Sequence, residues 1–329
     1  MSRLFAAISG LKAELRSTVI VTPPAVPPPN LAPAPPDQIA EAKRNWLKVV
    51  PPTVPSSAEI LPERVRGQEG ANDAAPNVAE TAESSTIVVS ASPESRLVAF
   101  TNPNSLGAEK FRALATRFDH LRNQRQLRSF QVTSSMTNEG KSLVAANIAI
   151  TLAQYSGSKT LLVEGDLHRP TLENSLGLNG SRGLIHWWSD GAEDLGKYVH
   201  RVNGMPLWFL PAGEACDQPS DLLRSARFVK AFGKLASQFE WTVVDSAPML
   251  PTVDANLWSR LLDGTLLVVR EGTTPVKILK KGLKALDHPK LIGVVVNDAT
   301  GFDQVNYKSP YYPNLDRREK SAKFKMNAS

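Results

Sequence analysis

The chain has 329 residues, 38 Lys+Arg against 32 Asp+Glu for a formal charge of +6, and 42% hydrophobic residues, which is enough apolar material for one large domain or two small ones. Cys216 is the only cysteine, which excludes an internal disulfide and a multi-cysteine metal site and fits a reducing cytosol. No apolar run approaches the roughly 20 residues that span a bilayer, so membrane association would be peripheral or through a partner. The modest positive charge permits contact with nucleic acid or anionic lipid without requiring either.

Residues 1–20 read as an amphipathic helix, with Leu4, Ile8, Leu11 and Leu15 at helical spacing and Ser2 as N-cap. Lys12, Glu14 and Arg16 interrupt the apolar stretch that a signal peptide would need. So short a helix cannot bury its stripe alone, and it either docks on a partner, the body of the protein or a membrane, or frays. Residues 21–94 read as a linker. Eleven of the 25 prolines fall between Pro23 and Pro55, and the stretch from Ser56 to Glu94 is rich in Ser, Glu, Ala and Asn, a composition that favours disorder. STIVVS, residues 85–90, is the one segment there that could pair as a strand.

From 95 to about 305 the pattern changes. SFQVTSS reads as a strand, LVAANIAITLAQY as a helix and KTLLVEGD as a second strand; FEWTVVDSAP, DGTLLVVREG and KLIGVVVND follow, separated by helical segments such as RFVKAFGKLASQ and VKILKKGLKAL. Near-continuous apolar strands alternating with helices predict a mostly parallel sheet covered on both faces, a three-layer α/β/α domain. Residues 306–329 form a basic tail.

Gly140-Lys141-Ser142, in SSMTNEGKS, falls where a strand ends and a helix begins. Backbone N–H groups at such a helix start cradle phosphate, the lysine reaches the β and γ oxygens, and the serine ligates Mg²⁺. Ser135 stands where a phosphate loop usually opens with glycine. Glu164 and Asp166 end the next strand and Asp245 another, and in an open parallel sheet such ends share one edge with the phosphate loop. The three carboxylates are expected to converge on one metal, with Asp245 and Asp166 as its direct or water-mediated ligands. GLIHWWSDG is either a docking surface or packing for Trp187 and Trp188.

At these residues the sequence resembles the cytoplasmic domain of bacterial protein-tyrosine kinases of capsule and exopolysaccharide assembly, P-loop NTPases related to the partitioning ATPases. SSMTNEGKS resembles the family's Walker A segment, LLVEGDLHRP its A′ motif and VVDSAP its Walker B; AEKFRALATRF, LPAGEACDQPSDLL, LLVVREGTTP and GVVVND extend the match. The resemblance implies ATP and Mg²⁺, with Thr137, Asn138, Glu139, Gly140, Lys141, Ser142, Leu143 and Arg169 lining the nucleotide, Asn297 near adenine, and Ser142, Asp166 and Asp245 on the metal. Lys141, Glu164, Asp166 and Asp245 become the catalytic set, Glu164 replacing an aspartate that helps deprotonate tyrosine. His168 stands where the family has arginine, and Ala115 where a helix of the ring interface repeats arginine after Glu109 and Arg112.

The resemblance also implies phosphoacceptors in a C-terminal tyrosine cluster, here Tyr307, Tyr311 and Tyr312, which hold most of the five tyrosines of the chain. It further implies self-association, a membrane-embedded chain-length (co-polymerase) activator as partner, no nucleic acid, and a place at the cytoplasmic face of the plasma membrane. Two other readings stand beside it. One is a non-catalytic ATP-binding regulator of that membrane partner; the other is a partitioning-type ATPase, which usually carries an extra lysine that SSMTNE lacks.

Overall fold

The computed structural model describes residues 18–21, 86–92, 95–250, 252–285 and 290–298. All of them fall in one compact unit. Its strands are β1 (Thr18–Val21), β2 (Thr86–Ile87), β3 (Ser129–Ser134), β4 (Thr160–Gly165), β5 (His200–Val202), β6 (Leu207–Leu210), β7 (Trp241–Ser246), β8 (Gly264–Arg270) and β9 (Leu291–Asn297). They form a single sheet in the order β1-β9-β8-β3-β7-β4-β6-β5-β2. Only the β5–β6 pairing is antiparallel.

The helices are α1 (Val98–Thr101), α2 (Leu106–Arg125), α3 (Lys141–Tyr155), α4 (Leu172–Ser175), α5 (Leu184–Ser189), α6 (Pro219–Arg224), α7 (Ala226–Ala236), α8 (Asp254–Leu261) and α9 (Val276–Ala285). Ser105 caps α2, its hydroxyl accepting from the Ala108 N–H at 3.2 Å, and Gln126 ends it in a left-handed turn. Consecutive strand residues feed opposite faces of the sheet. Leu162 and Val243 join Phe118, Phe130 and Trp241 in a core beneath α2 and α3, while Leu161, Val163 and Val244 join Phe228, Phe232 and Trp258 in a second core beneath α7 and α8. The central strands are thus buried on both sides, which is why they read as unbroken apolar runs. The expected three-layer α/β/α architecture is present.

Two boundaries differ from the sequence reading. Thr18–Val21 is not the end of a helix but an edge strand parallel to β9, consistent with its Thr-Val-Ile-Val run of β-branched residues. The rest of the expected helix lies outside the described residues, as do the tail and its tyrosines. On the opposite edge the folded unit reaches back to Thr86, inside the expected linker: β2 pairs parallel with β5, and the Ser90 N–H donates to the Leu176 carbonyl. The remainder of the linker lies outside the described residues. Trp187 is fully buried and Trp188 packs beside it, with the Arg227 guanidinium 4.3 Å from the Trp187 ring centre, so this pair is packing. Ala115 is buried against the first core.

Candidate active site

The loop between β3 and α3 takes its shape from two left-handed residues, Asn138 (φ 63°) and Gly140 (φ 90°). Ser135, in the place of the usual glycine, is not among the left-handed residues, so the backbone makes no demand for glycine there. It is fully buried, and room for it comes from Gly282 on α9, where a Cβ would lie 3.1 Å from Ser135 Oγ. Gly140 is required by conformation and by space, since a Cβ there would approach Asn297 Nδ2 to 2.1 Å.

Glu139 folds back on its own loop. One carboxylate oxygen accepts the Met136 N–H at 2.8 Å and the other accepts the Thr274 hydroxyl. Thr274 Oγ1 in turn accepts the Arg270 N–H at 2.9 Å, and Arg270 pairs with Asp298. Asn297 Nδ2 donates to the Glu139 carbonyl at 2.9 Å. Residues at the ends of β8 and β9 therefore buckle the phosphate loop to the sheet. Sequence reasoning missed Thr274 and Arg270; the turn GTTP directly after β8, on the edge that carries the phosphate loop, was the available signal. Burial pushes the Glu139 carboxyl above its ordinary range, against the Thr274 and Met136 hydrogen bonds.

Helix α3 starts at Lys141, and its first intrahelical bond runs from the Val144 N–H to the Gly140 carbonyl. The N–H groups of Lys141, Ser142 and Leu143 precede that bond, at the positive end of a 15-residue helix. Thr137 and Asn138 are exposed at the mouth of the loop.

Lys141 Nζ lies 2.7 Å from Asp166 Oδ2, 3.5 Å from Asp245 Oδ1 and 3.2 Å from Ser142 Oγ. Adjacent strands β4 and β7 deliver the two acids and β3 the loop, so all arrive at one sheet edge. Burial works against the Lys141 charge, and Asp245 and Asp166 outweigh it, holding the ammonium protonated. Asp245 is fully buried; burial lifts its carboxyl to about 6 despite Lys141. Neither of its oxygens makes a well-formed hydrogen bond. A buried carboxylate left without such bonds is costly unless a cation satisfies it. Thr171 Oγ1 stands 3.3 Å from Ser142 Oγ, and the Arg169 N–H donates to Asp166 Oδ1 at 3.2 Å with the Arg169 side chain exposed.

Glu164 is placed differently from the expectation. Its Oε1 accepts from the N–H groups of Leu172 (2.6 Å) and Glu173 (3.4 Å), and its Oε2 from that of Ala212 (3.2 Å). The carboxyl is buried, which lifts it to about 7 although those backbone groups favour the charge. Rather than joining the Lys141 cluster, it ties the start of α4 to the Pro211–Ala212 turn; the extra methylene over aspartate carries the carboxylate to those amides. His168, in place of arginine, meets the buried Asp254 at 2.9 Å.

The residues present fit a magnesium nucleotide. Among the described residues no group of three His, Cys, Asp or Glu side chains forms a metal cage by itself. One hydroxyl and two carboxylates, from Ser142, Asp166 and Asp245, are what a hexacoordinate Mg²⁺ needs when phosphate and water supply the other oxygens. Among the described residues no helix is long and apolar enough to cross a membrane.

No family model matches the chain. It is 30% identical over 203 residues to tyrosine-protein kinase YwqD of Bacillus subtilis (strain 168), covering 61% of this chain and 85% of that protein. With succinoglycan biosynthesis transport protein ExoP of Rhizobium meliloti (strain 1021) it shares 32% identity over 206 residues, covering 59% of this chain and 25% of that one. The solved structure of the chimerical protein CapA2B2 superposes with a TM-score of 0.58 at 26% identity, covering 66% of this chain and 95% of that chain.

Proposed function

The chain belongs to the bacterial tyrosine-protein kinases, and we propose on that premise that it transfers the γ-phosphoryl group of ATP to tyrosine side chains. The observation that carries this reading is the meeting of Lys141 with Asp166 and Asp245 at the mouth of a phosphate loop. Lys141 and the N–H groups that open α3 bind and orient the phosphates, which for this reaction class is most of the work. When bound at Ser142, Asp166 and Asp245, Mg²⁺ supplies neutralisation of the phosphate charge. Glu164, held by three backbone amides, acts by positioning the segment that follows Asp166.

The acceptors in this reading are Tyr307, Tyr311 and Tyr312 of the tail. Similarity to a succinoglycan biosynthesis transport protein supports a role in the assembly or export of an exopolysaccharide or capsule. With that role go a membrane-embedded co-polymerase partner, self-association, and work at the cytoplasmic face of the membrane. Purified full-length chain incubated with ATP and Mg²⁺ is expected to yield phosphotyrosine in the tail, and Lys141→Met to abolish it.

The engagement of Glu164 by backbone amides favours one second reading, an ATP-binding regulator that does not transfer phosphate. ATP binding without phosphotyrosine, with or without the membrane partner, would establish that reading instead.

A further inference from the structure

Two of the five tyrosines lie among the described residues. Tyr198 is buried, with its hydroxyl donating to Asp190 at 2.5 Å. Tyr155 is 59% exposed. It is the last residue of α3, followed by Ser156 and by Gly157 in a left-handed turn (φ 66°) with no atom within 4 Å of where a Cβ would sit. Leu152 and Ala153 anchor that last turn in the core, while Gln154, Tyr155 and Gly157 are exposed, so the phenol stands at the surface at a projecting helix end where a second copy of the chain can reach it. Tyr155 also walls a cleft of about 220 Å³ with Ala99, Pro103, Ala108, Thr151 and Arg112. Arg112 there donates Nε and Nη2 to Glu109 Oε2 at 2.8 and 2.5 Å, and Nη1 to the Pro103 carbonyl at 2.7 Å.

We propose that Tyr155 is a second phosphoacceptor, modified by another copy of this chain, and that Arg112 receives the phosphate. The inference rests on the tyrosine-transfer reading. Modification within one copy is excluded by geometry, because Lys141 opens the same 15-residue helix that Tyr155 closes, about 21 Å away along its axis. In the transfer, the Tyr155 hydroxyl oxygen bonds the γ-phosphorus of ATP as the bond from that phosphorus to the β,γ-bridging oxygen breaks. ADP leaves with the electron pair, and the phenolic proton passes to solvent. Phosphotyrosine carries nearly two negative charges, against the single charge of Glu109, so it competes for the Arg112 guanidinium through a stronger bidentate contact. The start of α2, where Glu109 sits in the first turn, is thereby coupled to modification at the far end of α3.

The test mixes active full-length chain with a Lys141→Met copy distinguishable by mass, in ATP and Mg²⁺, and maps phosphotyrosine on the inactive copy. Phosphate on Tyr155 of that copy is expected, and Tyr155→Phe should remove that phosphopeptide while leaving tail phosphotyrosine within about twofold. Phosphate confined to the tail would overturn the inference and leave the kinase reading standing. No phosphotyrosine on either copy would overturn both. Once Tyr155 is modified, a tyrosine phosphatase should release its phosphate several-fold faster from Arg112→Ala than from the parent; equal rates would remove Arg112 from the proposal.

Discussion

Asn297, the last residue of β9, holds the carbonyl of Glu139 at 2.9 Å across 158 positions of sequence, at the point where the phosphate loop turns into α3. The same amide nitrogen occupies the space that a side chain at Gly140 would need. Asn297 thus acts on the nucleotide site through the loop as well as through any contact it makes with a base. Asn297→Ala should weaken ATP affinity by about fivefold to tenfold, the equivalent of one hydrogen bond. Gly140→Ala, which adds a left-handed penalty to a clash, should abolish binding. Calorimetric titration with ATP checks both.

Thr274→Val keeps the shape of the side chain and deletes its hydroxyl, stranding one oxygen of the buried Glu139 carboxylate and the Arg270 N–H. An orphaned buried group costs about 1–3 kcal/mol, so denaturant unfolding should register a loss in that range. Glu139→Gln, whose amide oxygen can still accept the Met136 N–H while its NH2 donates to Thr274 Oγ1, should lose less. Equal losses in the two variants would contradict the buckle described for β8 and β9.

Glu164 makes stability depend on pH. Its folded carboxyl titrates near 7 instead of 4.5, so the folded state keeps a proton that the unfolded chain has released. The contribution is full below pH 4.5 and is lost as pH rises through about 7, on the order of 3 kcal/mol. Asp245 shifts in the same direction, to about 6. Thermal unfolding from pH 5 to 8 should therefore show a falling melting temperature, and Glu164→Gln should flatten the slope without removing the share due to Asp245. An unchanged slope would place the titration elsewhere.

Gly165 separates Glu164 from Asp166 in a space that admits no side chain. A Cβ there would come within 2.7 Å of Val244 Cγ1 and 2.9 Å of both the Asp245 carbonyl and Trp258 Cε2. Gly165→Ala forces β4 and β7 apart where they present the two acids, and should cost about 1–3 kcal/mol together with most of the Mg²⁺-dependent ATP affinity. Circular dichroism melts alongside titration would separate the two effects.

Much of this was legible in the sequence. Gly140-Lys141-Ser142 at a strand-to-helix junction, with acids closing two apolar runs, located the sheet edge because parallel strands end together. The edge strands differed in legibility. β2 spans only two residues but lies within STIVVS, the one linker segment that reads as able to pair, whereas the four residues of β1 fall at the end of the stretch that reads as a helix, and the existence of both depends on pairing with β5 and β9. Glu164 misled because an acid beside Asp166 reads as part of the metal cluster, whereas the amides that capture it come from Leu172, Glu173 and Ala212, and sequence does not announce where backbone donors will point. Ser135 in place of the usual glycine is accommodated, since its backbone lies outside the left-handed region that calls for glycine.

The central claim is that Lys141, Asp166 and Asp245 make one magnesium–nucleotide site, and the most direct measurement is titration of ATP into the full-length chain with and without Mg²⁺. Saturable binding strengthened by the metal is expected, with Asp245→Asn losing the metal dependence and Lys141→Met losing binding by about 100-fold or more. Binding that ignores Mg²⁺, or that survives Lys141→Met unchanged, would contradict it.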